Sequence, residues 1–390
     1  MKKNFKIIDC YATKTHHEVF NLSLILISSQ IANKVICKMG SSAYNNIINL
    51  KRKYQLPSNV KIVKKGVYEK DSKTGAFIRT FMGFFITLFE YLMLSPHQIL
   101  IFTTTNPFSF PLITSLNILL RKKIIFTMHG ELELQYNHPK FGHLAWLYRW
   151  MYTINFKYLL KCSSKTQLLV LGESIKNNLC SIFPYLNKNI ISIYHPILID
   201  INKKQCSNKL TTPLIIGTVG VMKKEKGFDN LIELSNNLKK EILSNKLVIR
   251  SIGKVENIDT SPHTLINWIG KDETIPRTDF DKYINELNFI LFLYPTNSYK
   301  LTASGAITDA IRLHIPILSL KNDFFCDLIG NNSIGYLKDT IEELANTIRT
   351  IITTKESIDY NENFSKLINK TSIPNIAKLL NTSLQEKHFI

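Results

Sequence analysis

Three segments in the second half of the chain carry residue types suited to holding a phosphate-rich ligand. In the first, Gly217-Thr218-Val219-Gly220 leads through Val221, Met222, Lys223, Lys224 and Glu225 to Lys226-Gly227 and a helical pattern. Glycines let a ligand approach backbone amides closely, and a lysine at a helix start adds charge to the positive end of the helix dipole. Together they suit a diphosphate. A lysine-rich surface loop has the same composition, so this segment alone does not decide. The second segment, 247–254, is an apolar run that ends in Gly253. Glycine there falls at the carboxyl edge of a strand, where open α/β sheets bind ligands. In the third, the run 289–292 is followed by a polar loop with Pro295 and Lys300, then Ser304-Gly305-Ala306, with Asp309 one turn further on. A small-residue helix start admits phosphate oxygens to free N–H groups, and a carboxylate one turn later suits a pair of ribose hydroxyls.

The first half offers a histidine loop, Thr127-Met128-His129-Gly130-Glu131-Leu132-Glu133, after another apolar run. A histidine at the carboxyl end of a strand can donate to a substrate hydroxyl or act as a base, and a structural histidine fits the same position. His16-His17 sits in the loop after the first run, and His195-Pro196 follows the last one of this half. A metal pair at His16-His17 needs further ligands, which the sequence does not supply, so no metal is expected.

Positioning such loops requires strands that all end on one edge. Short apolar runs at 6–9, 34–37, 60–63, 99–102, 123–126, 168–171 and 190–193 alternate with stretches long enough for a helix. The same alternation continues at 214–217, 247–250, 265–268, 289–292 and 315–318. This is the pattern of parallel α/β sheets, and with 390 residues two tandem doubly wound domains are expected. The polar stretch 202–209 before Pro213 reads as the linker between a domain at 1–200 and one at 210–360. Residues 361–390 show helical spacing at Ile368, Ile373, Ile376, Leu379 and Leu380 and form a terminal helix.

Six scattered cysteines without a CxxC pair suit reduced thiols in the cytoplasm, and no structural zinc is suggested. The most apolar stretch, 81–94, is shorter than the ~20 residues that cross a bilayer and contains Glu90, so it reads as a buried or interfacial helix. Net charge is +19 and unevenly placed. Residues 1–200 hold 25 Lys/Arg against 9 Asp/Glu, whereas residues 201–390 hold 24 against 21. The basic half points to an anionic partner, with an anionic inner leaflet favoured over nucleic acid because no nucleic-acid recognition motif appears. Aromatic and basic residues at 143–161, including Trp146, Arg149 and Trp150, suit a lipid interface or a core helix equally.

Taken in order, the three phosphate-type segments resemble the GT-B glycosyltransferases, particularly the retaining bacterial capsule, lipopolysaccharide and exopolysaccharide family (group 1). The resemblance spans about 214–344 and rests on Gly220, Lys226, Gly227, Gly253, Pro295, Gly305, Asp309, Ala310 and Pro316. It implies two Rossmann-like domains facing a cleft and a metal-independent enzyme without cofactor. It implies a nucleotide-diphosphate sugar as donor and a glycan or lipid-linked oligosaccharide as acceptor, at the cytoplasmic face of the membrane. By the same resemblance Lys226 neutralises the diphosphate, and the amides of Ser304, Gly305 and Ala306 receive it, near Gly220 and Gly253. Asp309 then holds the ribose, His129 and Glu131 (or Glu133) act at the reacting centre, and His16-His17 lies in the acceptor loop. The chain departs from the family at Val221, where Arg is usual, at Thr302, where the first of two carboxylates is expected, and at His314, where Gly is common. Lys223, Lys224 or Lys300 is expected to replace the missing positive charge. A nucleotide-sugar epimerase of the same fold, a nucleic-acid binder and a non-catalytic scaffold remain alternatives at this level.

Overall fold

A computed structural model describes residues 3–13, 17–51, 54–70, 72–136, 145–199, 210–273, 275–356 and 358–390, without the side chain of Lys73. His16, the stretch 202–209 and the start of the 143–161 segment lie outside these residues. Two compact units are present. One is Met1–Asp200 with Leu301–Ala303 and Lys370–Ile390, and the other is Ile201–Lys300 with Ser304–Asn369.

The first unit is built on seven parallel strands: β1 (Asn4–Ile8), β2 (Lys34–Met39), β3 (Val60–Lys64), β4 (Gln98–Phe102), β5 (Lys123–Thr127), β6 (Thr166–Val170) and β7 (Ile190–Ser192). Their order is β3-β2-β1-β4-β5-β6-β7, with Phe5 opposite both Val35 and Ile99 in register. The second unit contains β8 (Leu214–Val219), β9 (Leu247–Ile252), β10 (Ile266–Ile269), β11 (Phe289–Phe292), β12 (Ile317–Leu320) and β13 (Gly335–Lys338). These run in the order β10-β9-β8-β11-β12-β13, again all parallel. Strands covered by helices on both faces must be apolar on both, which explains the near-continuous Ile, Leu, Val and Phe of β1, β4, β5 and β11. In each sheet the chain reverses its winding direction beside the first strand, between β1 and β4 and between β8 and β11.

Twelve of the thirteen strands coincide with apolar runs in the sequence, displaced by at most a few residues. β12 begins at Ile317, two residues late, because His314 closes the preceding helix in a left-handed conformation (φ 56°) and Pro316 has no N–H to donate. The thirteenth, β13, carries only Gly335-Tyr336-Leu337-Lys338 and has no periodic signal. It is nevertheless sterically determined: a Cβ at Gly335 would stand 2.0 Å from the Ile317 carbonyl oxygen.

The apolar segment of the first unit differs from its sequence reading. It is a 20-residue helix, Lys73–Leu92, not a short one, because Ser72 caps it nine residues before the apolar run by accepting from the Gly75 N–H at 2.9 Å. By length and composition its Thr74–Leu92 stretch, with mean hydropathy 1.3, is long and apolar enough to cross a membrane. One face of it is fastened to the sheet. Glu90 is fully buried and pairs with Lys6 of β1 at 2.6 Å, Lys38 of β2 at 2.8 Å and Lys65 beyond β3 at 3.4 Å.

The C-terminal region is two helices, not one. Asn361–Lys370 packs in the second unit, where Phe364 is buried against the His314 ring, 5.0 Å away. Ile373–Glu386, capped by Ser372, belongs to the first unit and buries Ile376, Leu380 and Leu384 among the core residues of the Glu18–Ile31 helix.

Burial pushes the Glu90 carboxyl up, and hydrogen bonds from Lys38 and Lys6 overcome it, leaving the group below its ordinary value of 4.5. Its contribution is therefore complete at neutral pH and is lost as pH falls through the lowered value. Glu90→Gln leaves the Lys6 ammonium buried without its counter-charge and is expected to cost about 3 kcal/mol or more. Urea unfolding of both proteins across pH checks this, with the difference between them shrinking in acid.

Candidate functional site

Three strand ends of the second unit are drawn together by glycine. β8 runs into Gly220 (φ +87°) and β9 into Gly253 (φ +130°), both in the left-handed region that disfavours a side chain. A Cβ on Gly253 would lie 2.4 Å from the Gly220 carbonyl oxygen, so the two turns touch backbone to backbone. Gly227 (φ +87°) packs against the end of β11 so closely that a Cβ there would stand 1.8 Å from the Leu293 carbonyl oxygen. Asn230, in the Phe228–Asn237 helix that Gly227 opens, donates to the same oxygen at 2.8 Å.

Lys226 sits over this junction, its Nζ 3.8 Å from where a Cβ of Gly220 would be. Among the described residues its ammonium has no hydrogen bond or ion pair. Burial, with the nearby Lys223 charge, lowers its pKa to about 8. The Glu256 carboxylate offsets this only in part, and a cation held half out of water favours an arriving anion.

The Ala306–Leu313 helix starts from Gly305, and no side chain caps it. Ser304 is buried and shares a 2.8 Å hydrogen bond with the Tyr294 hydroxyl, which leaves the helix N–H groups without a hydroxyl partner from it. Gly305 differs from the other glycines of the site. Its φ is −69°, and a Cβ would meet nothing within 4 Å. Nothing in the protein itself requires a glycine there.

Asp309, on that helix, is not solitary. Its Oδ1 accepts from Arg277 and, at 3.0 Å, from Arg312, and both guanidinium groups also pair with Asp281 at 3.1 and 2.9 Å. Lys300, one of the candidates to replace the absent arginine's charge, pairs with Asp323 at 2.9 Å. The Arg277–Asp281 and Asp309–Arg312 pairs stand at helical spacing and were available to sequence reading; the bridge between the two helices was not. His314 shows why Gly is common at its position: it occupies a left-handed turn, and its stacking on Phe364 accompanies that strained backbone.

In the first unit the loops leaving β1, β4 and β5 converge. Asp9, just past β1, accepts from the Tyr11 and Ala12 amides at 3.0 and 2.9 Å and from Asn21, fixing the described start of that loop. His129, past β5, donates from Nε2 to the Thr103 carbonyl past β4 at 2.9 Å, since a carbonyl only accepts. Nδ1 is thereby the ring's acceptor. Its pKa falls to about 3 through burial and the neighbouring His17, whose ring centroid is 4.4 Å away. Phe20 lies edge-on to His129 at 5.0 Å and beside His195 at 5.5 Å, and burial lowers His195 to about 4. His129 and His195 are therefore neutral imidazoles at physiological pH.

The two glutamates of this loop separate in role. Glu133 accepts from the Leu301 amide at 2.7 Å and anchors the 301–303 segment. Glu131 is half-buried with its Oε1 out of solvent and without a hydrogen-bond partner, and desolvation raises it to about 7 against the hydrogen bonds of nearby amides and Thr105. A carboxyl poised near neutrality can give or take a proton. Among the described residues no group of three or more His, Cys, Asp or Glu is placed to hold a metal ion.

Residues 200–370 match the family described as glycosyl transferases group 1. That segment is a group 1 glycosyltransferase domain by this match. Solved structures agree in fold over almost the whole length. Anabaena HepE in complex with UDP superposes with TM-score 0.61 at 12% identity, covering 98% of this chain and 100% of that one. A Rickettsia africae glycosyltransferase gives 0.61 at 13% identity, covering 98% of each. The sucrose-phosphate synthase of Thermosynechococcus elongatus gives 0.64 at 12%, covering 99% of each. Identities this low carry the fold, which is GT-B. No curated protein matches the transferase in sequence.

The glycines of the transferase are predicted to divide sharply. Gly227→Ala collides with the Leu293 backbone and is expected to lower stability by several kcal/mol, of order 3 or more. Gly305→Ala is expected to cost about 1 kcal/mol or less, the ordinary price of that cap position. Thermal and urea unfolding of the two variants separates a glycine required by the protein from one required by something else.

Proposed function

We propose that the chain moves a sugar from a nucleotide-diphosphate donor to a glycan or lipid-linked oligosaccharide acceptor, in building a bacterial surface polysaccharide at the cytoplasmic face of the membrane. The observation that carries the donor half is Lys226, an unpaired and partly buried cation above Gly220, in a unit that also offers an uncapped helix start at Gly305. In this reading the diphosphate lies against Lys226 and the amides of Ser304, Gly305 and Ala306. A lysine and a helix dipole then stabilise the charge that develops on the departing diphosphate, which makes a metal ion dispensable. Solved neighbours of this fold hold UDP and UDP-glucose, so uridine nucleotides are the first donors to try.

Asp309 serves the ribose through Oδ2, while Arg277 and Arg312 hold Oδ1 and fix its rotamer. Glu131 and His129 are the proton-handling pair for the acceptor hydroxyl. The neutral His129 offers Nδ1 as a base, and Glu131 changes protonation near pH 7.

A thermal-shift panel of UDP, GDP, CMP and dTDP, with and without Mg²⁺, tests the reading. Stabilisation by one nucleotide, unchanged by EDTA, is expected; silence across the panel removes the donor site. Lys226→Ala and Asp309→Ala are each expected to weaken donor use ~10-fold or more, at ~1.4 kcal/mol per decade.

Proton linkage gives an independent check on Lys226. Near pH 8 the free ammonium is partly deprotonated, and a bound diphosphate restores the proton. Calorimetry in buffers of different ionisation enthalpy should show proton uptake on nucleotide binding near pH 8. The uptake should vanish near pH 6, where Lys226 is already charged, and be absent at both pH values in Lys226→Met.

A further inference from the structure

The Lys73–Leu92 helix has two faces of opposite character. Towards the unit's interior it presents Arg79, Thr80, Thr87, Glu90 and Tyr91, all buried, with Glu90 held by three lysines. Away from it, Phe77, Phe81, Phe85 and Phe89 recur every fourth residue and are 55, 57, 53 and 53% exposed. Leu92 and Met93 continue the row at 51 and 64%. Phe81 and Phe85 pack on each other at 5.1 Å, so the stripe is an ordered surface. It extends onto the next helix, Ser109–Leu120, whose Leu119 and Leu120 are exposed. The two helices are tied at this end by the Tyr91 hydroxyl to Asn117 at 3.1 Å and by Lys122 to the Leu92 carbonyl at 2.7 Å. A contiguous exposed apolar surface of this kind marks an interaction site.

The charges around it select the partner. The Thr74–Leu92 stretch has one acidic residue, Glu90, and that one is buried and neutralised. Lys65 stands 5.3 Å over the Phe89 ring, Arg121 follows directly on Leu120, and the Lys122 ammonium lies at the helix end on the Tyr91 and Leu92 carbonyls, at 3.1 and 2.7 Å. The whole of residues 1–200 carries 25 basic against 9 acidic residues. Aromatic rings bordered by lysines fit the boundary between acyl chains and anionic headgroups. The ion pairs of Glu90 keep the opposite face on the sheet, so the helix cannot leave its unit to span a bilayer without exposing four charged groups.

We propose that this helix lies in the plane of an anionic bilayer, with the Phe77–Phe81–Phe85–Phe89 row inserted among the lipids and the bordering lysines at the phosphates. The inference rests on the reading that the enzyme works at a membrane and names the surface it uses; it does not depend on the donor site.

The test is co-sedimentation with vesicles of phosphatidylcholine alone and with 30% phosphatidylglycerol, about that fraction being enough to give the surface a negative potential. The wild-type chain is expected to pellet with the anionic vesicles, less so at high salt. Phe81→Ser/Phe85→Ser is expected to bind at least about tenfold more weakly while keeping its nucleotide-induced thermal shift, which shows that it is folded. Phe85→Trp supplies a milder probe, and its emission should move to shorter wavelength on adding anionic vesicles. Undiminished pelleting of the double variant, or no spectral shift in Phe85→Trp, overturns the assignment of the stripe. Absence of vesicle binding by the wild type, with nucleotide stabilisation intact, overturns the membrane reading and leaves the donor reading standing. A wild-type dimer in sedimentation velocity that the double variant dissociates overturns it too, since a second copy would then cover the stripe.

Discussion

Parallel pairing is the constraint on which the rest of this protein depends. Two parallel neighbours cannot be joined by a tight turn, so every strand must be followed by a crossover, and every crossover leaves from the same edge of the sheet. Thirteen strands in two parallel sheets thus deliver their loops to two carboxyl edges. Because the winding reverses between β1 and β4 and between β8 and β11, loops at those points diverge and leave a crevice at the strand ends. The residues that sequence pattern singles out, His129, Gly220, Lys226 and Gly253, follow strands at or beside these reversals, as does Asp9. The candidate site residues sit where the topology leaves backbone uncovered.

Charge burial divides into two kinds. Glu90 with Lys6, Lys38 and Lys65, and the Arg277, Asp281, Asp309 and Arg312 network, are closed sets in which each charge meets its opposite. Such sets hold elements in place, the first a helix against three strands, the second two helices against each other. Lys226 and Glu131 are of the other kind. Each is drawn from water without an ion pair among the described residues, and each shifts toward its neutral form, to about 8 and about 7. A protein gains no stability from such groups, which is why they point to ligand and reaction. Asp309 belongs to both sets at once: one oxygen is committed to the arginines, the other is outside those contacts.

The sequence by itself determined the fold class, the tandem arrangement and twelve of the thirteen strands. A strand buried on both faces has to be continuously apolar, and that signal is local. It also placed the phosphate-type loops, because Gly220, Gly227 and Gly253 answer to backbone demands that no other residue meets without strain. What it did not contain was anything resting on a contact between distant residues. The strand order, the role of Glu90 as an anchor for three lysines, the engagement of Lys300 by Asp323, and the separation of Glu131 from Glu133 are all of this kind. So is the contrast between the faces of the Lys73–Leu92 helix. A row of phenylalanines at every fourth position reads the same whether it is core or surface. Only packing decided that the charged side of that helix turns inward and the aromatic side faces out, because the lysines that meet Glu90 come from β1, β2 and the residue after β3, far from it in sequence.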